Sequence, residues 1–317
     1  MPKLVMGVAT ADIIFTRRDA MKSMFTPLVV LLFLNLAPAV RAADNVEIVA
    51  DVVYGHKDGL AMTFDVVKPK ENANGAGVLF MVSGGFYSVW YPPENNVVGF
   101  HSLLEKGFTM FIVRHGSSPK YLIPECVDDV RRAVRHIRKN AARFGVDPER
   151  LGVTGGSAGG FLSLMLGETG DDGDPQAKDE LLRTGDRVAA VVAYFPPTDI
   201  RPFVLPSSPY YKQFPALQFD AAKAPDYSPL LLVKPDCPPT LLIHGDQDTL
   251  VPLDHSEKIL VEFQKNGIAS ELMVIKGGQH GFQGEDDRRA AAARDAWFEK
   301  VLLKKTPAPT VDGQPSP

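Results

Sequence analysis

Ser157 lies in the run Gly155-Gly156-Ser157-Ala158-Gly159, between the apolar segment "RLGVTGG" and the apolar, helix-patterned "FLSLM". A serine at a sharp strand-to-helix turn presents its hydroxyl above the sheet, with the following helix N-terminus aimed at it. Such a turn admits only small neighbours, which accounts for the residues at 155, 156, 158, 159 and 160. The other use of a glycine-rich strand–helix turn is to bind phosphate. That needs a lysine or the dinucleotide glycine spacing, and this run has neither. The spacing therefore reads as a device that exposes a nucleophile.

A serine hydroxyl is a weak nucleophile by itself and needs a base and an acid that orients the base. On a strand–turn–helix scaffold these follow in the order serine, acid, histidine, at the carboxyl ends of later strands. The segment "TLLIHGDQDTLVP" ends a strand at His244 and offers Asp246 and Asp248. The segment "ELMVIKGGQHGF" offers His280 in a glycine-flanked loop, and no histidine follows it. Asp199, in "FPPTD", is a further candidate acid.

Alternating elements must position these groups. Eight segments read as strands: "NVEIVADVVYG", "AMTFDVVKP", "GVLFMVSGG", "FTMFIVRHG", "RLGVTGG", "RVAAVVAYF", "TLLIHGD" and "SELMVIKGG". The central ones are nearly continuous apolar runs, as in strands buried on both faces of a parallel sheet, whereas the first two look antiparallel. Val127, Val130, Val134, Ile137, Ala141 and Phe144 recur at helical spacing and predict one helix up to Gly145. Its arginines and lysine, Arg131, Arg132, Arg135, Lys139 and Arg143, read as a solvated face. The fold expected is α/β, with helices on both faces of a mostly parallel eight-stranded sheet. Two excursions interrupt it. "ETGDDGDPQAKDE" reads as a polar, solvated loop, and the proline- and aromatic-rich segment from Arg201 to Leu230 reads as a small lid.

With these motifs in order, the sequence resembles the α/β-hydrolase superfamily. Within it, the likeness is to exported carboxylesterases and feruloyl-esterase-like proteins related to the prolyl oligopeptidase catalytic domain. The resemblance places the acid at the fifth position of "HGxxDxxVP", which is Asp248, and matches "GxxHGF" to Gly277–Phe282, which makes His280 the base. It implies an oxyanion hole built from backbone N–H groups, here those of Ala158, Gly85 and Phe86. Relatives carry His-Gly-Gly in the loop after the third strand; here it reads Ser83-Gly84-Gly85. Tyr87, Trp90 and Tyr211 are the expected substrate contacts. The activity implied is cofactor-free hydrolysis of short-chain acyl esters through an acyl-enzyme, on small-molecule or carbohydrate esters, acetyl and feruloyl among them. A serine peptidase of prolyl oligopeptidase type and a non-catalytic hydrolase-like binding protein stay open as alternatives.

The remaining features bound the biology. Residues 1–42, with translation starting at Met1 or Met21, read as an export signal: Lys22, an apolar run from Leu28 to Leu36, then small residues up to Ala42. The domain is expected over 43–304, outside the cytoplasm, with a disordered tail over 305–317 and no membrane span once the signal is cleaved. The whole chain carries −4 and the first 42 residues +3, leaving −7, which argues against a nucleic-acid partner. The two cysteines, Cys126 and Cys237, read as separate thiols, and the spacing of histidines and cysteines suits no metal.

Overall fold

Strand formation follows the apolar runs, and hairpin chemistry sets the first turn. Asp58-Gly59 joins β1 (Val46–Lys57) to β2 (Leu60–Pro69), with both turn residues at positive φ (50° and 78°). An Asp-Gly pair suits this two-residue reversal because both central residues must be left-handed. In the computed structural model, which describes residues 45–303, the other strands are β3 (Gly77–Val82), β4 (Thr109–Arg114), β5 (Leu151–Gly156), β6 (Ala190–Tyr194), β7 (Thr240–Gly245) and β8 (Ser270–Ile275). The proposed export signal and the tail lie outside the described residues. The helices, in chain order, are α1 (Glu94–Gly99), α2 (His101–Glu105), α3 (Ile123–Lys139), α4 (Ala141–Phe144), α5 (Ala158–Thr169), α6 (Pro209–Gln213), α7 (Asp254–Lys265) and α8 (Gly284–Leu302).

The strands form one eight-stranded sheet in the order β1-β2-β4-β3-β5-β6-β7-β8. β2 pairs antiparallel with both of its neighbours, and every other pairing is parallel. All six residues of β4 and of β7 are buried, as for strands covered on both faces. Alternate side chains divide the core. Leu79, Phe111, Val153 and Leu242 pack under α3, α5 and α7, whereas Val78, Ile112, Val192 and Leu241 pack under α1, α2 and α8.

Two expectations need correction. The helix expected over Val127–Phe144 starts earlier and breaks once. Glu125 accepts the N–H of Leu122 at 3.0 Å and starts α3 at Ile123, while Asn140 turns its side chain onto the His136 carbonyl at 2.8 Å and separates α3 from α4. The arginine face of α3 is no solvated face either. Arg131 and Arg135 reach Asp171 and Asp186 at 2.5–2.9 Å, Arg132 reaches Asp179 at 2.5 Å, and Arg135 is only 5% exposed. The acidic loop after α5 is thus fastened to α3 by opposite charge. Among the described residues no group of His, Cys, Asp or Glu could hold a metal ion, and no helix is long and apolar enough to cross a membrane. Cys126 and Cys237 are both buried free thiols.

Candidate active site

At the end of β5 the backbone takes an unfavourable conformation. Ser157 sits at φ 54°, ψ −119°, a region that non-glycine residues occupy only when their surroundings force it. The surroundings do so through main-chain bonds. The Ser157 N–H donates to Tyr194 O at 2.9 Å, and the Ser157 carbonyl accepts from Phe161 N at 2.9 Å. Glycine is required by close approach. A Cβ on Gly155 would stand 2.6 Å from the Gly159 backbone, and one on Gly159 would stand 2.7 Å from Met81 O.

His280, in the loop between β8 and α8, places Nε2 2.8 Å from Ser157 Oγ and Nδ1 2.7 Å from Asp248 Oδ2. A carboxylate only accepts, so Nδ1 carries the hydrogen and Nε2 is left to accept the serine proton. Asp248 follows β7, and its Oδ1 accepts the N–H groups of Leu250 and Val251, each at 2.9 Å. Fully buried His244 sits 3.4 Å from Asp248 Oδ2, and its Nε2 donates to Val251 O at 2.8 Å. Burial pushes the Asp248 carboxyl upward. The bonds from His244, His280 and Val251 overcome it and hold the group well below the usual carboxylate range. The other two aspartates stand apart: Asp246 accepts from Gly277 N at 2.6 Å, and Asp199 pairs with Arg201 at 2.7 Å.

The loop after β3 makes a tight turn at Gly84–Tyr87. Gly84 and Tyr87 exchange backbone bonds of 3.1 and 3.0 Å, while Gly85 and Phe86 take φ of 57° and 65°. Among the described residues the N–H groups of Gly85, Phe86 and Ala158 make no hydrogen bond. These three residues and Ser157 line one pocket that opens to solvent. Its other walls are apolar: Ile200, Phe203, Tyr210, Phe214, Leu217 and Val251.

The expected substrate contacts are placed differently. Tyr211 does not line the pocket, whereas Tyr210 and Phe214 do. Residues four apart share a helix face and the intervening ones turn away. The Tyr210 and Phe214 rings accordingly stack at 6.3 Å and 11°. That spacing was available in the sequence as the signal for the right pair. Tyr87 closes the turn after β3 and Trp90 follows it, 40% and 53% exposed, and both also lie outside the pocket lining. The lid is tied to the acid loop by Tyr210, whose hydroxyl donates to Leu250 O at 2.9 Å, a link no sequence motif signals.

The same architecture occurs in known proteins. A truncated carbohydrate esterase from gut microbiota superposes with a TM-score of 0.69 at 25% identity, covering 82% of this chain and 98% of that one. An acetyl ester-xyloside bifunctional hydrolase from Caldicellulosiruptor lactoaceticus gives 0.68 at 21% identity, covering 79% and 96%. Esterase LipC of Mycobacterium tuberculosis is 29% identical over 77% of this chain and 62% of its own length. The chain spans less than two thirds of the length of the mycobacterial relatives it matches. Sheet order and neighbours together are those of the α/β-hydrolase fold. The BD-FAE family matches residues 64–263, and the chain belongs to that family.

Proposed function

We propose that the protein is a serine carboxylesterase. The observation that carries this reading is the hydrogen-bonded series Ser157–His280–Asp248 beside a left-handed turn with unengaged N–H groups. Ser157 Oγ attacks the ester carbonyl as His280 Nε2 takes its proton, and Asp248 stabilises the imidazolium that forms. The N–H groups of Gly85, Phe86 and Ala158 receive the developing oxyanion. His280 then protonates the departing alcohol, and water activated by the same histidine hydrolyses the acyl-enzyme.

The apolar pocket walled by Phe203, Tyr210 and Phe214 suits a short acyl group. Tyr87 and Trp90, exposed beside the oxyanion turn, suit the face of a sugar ring on the alcohol side, in keeping with a carbohydrate esterase among the structural relatives. Acetylated carbohydrate fragments are therefore the substrate class proposed, with feruloyl esters as the larger variant. We place this activity outside the cytoplasm on the strength of the signal-like residues 22–42. The recovered protein is expected to begin at Ala43, and an intact Met1 or Met21 refutes cleavage.

The deciding assay compares p-nitrophenyl acetate and an acetylated xylo-oligosaccharide with a proline-containing aminoacyl amide. Both esters are expected to turn over faster per unit enzyme. Faster cleavage of the amide replaces the esterase reading with the peptidase one.

A further inference from the structure

The oxyanion turn poses a physical problem. Phe86 is a bulky residue held left-handed, a conformation that disfavours side chains, and Ser83 precedes the turn. The Ser83 hydroxyl is buried without a partner among the described residues. The two Gly84–Tyr87 bonds close the turn, and other bonds must fix where it stands.

The segment after β4 supplies them. Ser118 N donates to Phe86 O at 3.0 Å, Ser88 N donates to Ser117 Oγ at 3.1 Å, and His115 N donates to Ser88 Oγ at 3.1 Å. Three bonds thus cross between residues 86–88 and 115–118. The second segment is itself fixed from below. Gly116 N donates to Asp129 Oδ2 at 2.8 Å, and Cys126 Sγ and His115 Nδ1 both donate to Gly116 O. Asp129 is a buried residue of α3, and its charge is met by Lys57 of β1 at 2.8 Å. A Cβ on Gly116 would stand 2.5 Å from the Tyr121 ring, so only glycine fits here.

We infer that His115–Ser118, anchored by Asp129 and joined to the turn through the Ser88 and Ser117 hydroxyls, sets the position of the Gly85 and Phe86 N–H groups that receive the oxyanion. Ser88, Ser117 and Asp129 are positioning residues, since none of them touches the reacting atoms. The inference rests on the esterase reading and names what makes its oxyanion hole rigid. Displacement of a donor by about an ångström weakens only the interaction made in the transition state.

The test is Ser88→Ala and Ser117→Ala, with Ser88→Thr and Ser117→Thr as conservative partners. Each alanine variant is expected to lower kcat on p-nitrophenyl acetate about tenfold or more, with KM nearly unchanged. Affinity for an aryl trifluoromethyl ketone, which forms an oxyanion on Ser157, should fall by the same factor, and the threonine variants should recover most of both. Asp129→Asn, which keeps an acceptor for Gly116 N–H, should retain more activity than Asp129→Ala. If Asp129→Ala does not fold, the serine variants still decide. Unchanged kcat in both alanine variants, or a loss confined to KM, overturns the inference while the esterase reading stands. A wild type that neither turns over the ester nor captures the ketone brings down the esterase reading, and this inference with it.

Discussion

Ser157 and Phe86 line one pocket and are both non-glycine residues at positive φ, and they are held there by different means. At Ser157 the restraint is close packing around a short motif. Glycine at 155 lets β5 meet Gly159 of its own helix, and glycine at 159 lets that helix meet Met81 O of β3, at distances that no side chain tolerates, with one main-chain bond from Ser157 N–H to Tyr194 O. At Phe86 the restraint is remote. The turn is gripped by hydroxyl and main-chain bonds from residues 115–118, which are themselves fixed by α3 and β1. A conformation set by its own neighbours is written in a short motif. One set by another loop is spread over positions that no spacing rule connects.

The largest expected effect tests the local side of this contrast. Ser157→Ala should lower ester hydrolysis on the order of 10⁵-fold or more, with an unchanged thermal midpoint. A fluorophosphonate label should mark the wild type only, and comparable labelling of the variant refutes the nucleophile. Next, Asp248→Asn should cost about 10⁴-fold in kcat, while Asp246→Asn and Asp199→Asn stay within a few-fold, because Gly277 N and Arg201 are their partners. A severe Asp199→Asn variant reassigns the acid.

The contrast itself is sharpened by a pair of alanines. Gly159→Ala drives a Cβ to 2.7 Å from Met81 O, whereas a Cβ on Gly84 meets nothing within 4 Å. The first should cost about a hundredfold in kcat and lower stability as well. The second should cost a few-fold at most. Equal effects at the two sites break the distinction between crowding at the elbow and bonding at the turn.

The last effect is read in stability rather than in rate, and it belongs to the far end of α5. Glu168 is buried, and both of its carboxyl oxygens lack a partner among the described residues. Burial holds its pKa well above the ordinary value, so the folded chain keeps a proton that the unfolded chain has lost. Stability should therefore be full below about pH 4.3, the ordinary glutamate value. It should fall by about 1.4 kcal/mol per pH unit above that, until the folded carboxyl ionises. Glu168→Gln removes this dependence. Its advantage over the wild type in denaturant melts should widen from pH 4 to pH 8, and a constant gap refutes the assignment.

The eight strands were legible because apolar runs of β4 and β7 type have no other comfortable burial. The elbow was legible because its cause is local. Asp248 and His280 could be placed by order along the chain, and the structure brings both to Ser157. What escaped the sequence depends on distant partners. The arginines of α3 looked solvated because Asp171 and Asp186 lie far along the chain. Tyr210 rather than Tyr211 lines the pocket because α6 starts at Pro209, inside an irregular insertion whose helix phase no extended pattern announces. The bonds between residues 86–88 and 115–118 carry no motif at all.

The lid and the turn after β3 share one contact with an evolutionary meaning. A Cβ on Gly85 would stand 2.9 Å from the Phe214 ring. The two positions are therefore not free to drift separately. A lineage that enlarges residue 85, already held at φ 57°, must also shrink or move the ring at 214. Divergence in the lining of this pocket is thus channelled through paired substitutions. Related sequences should show these two sites changing together, although 129 residues of chain separate them.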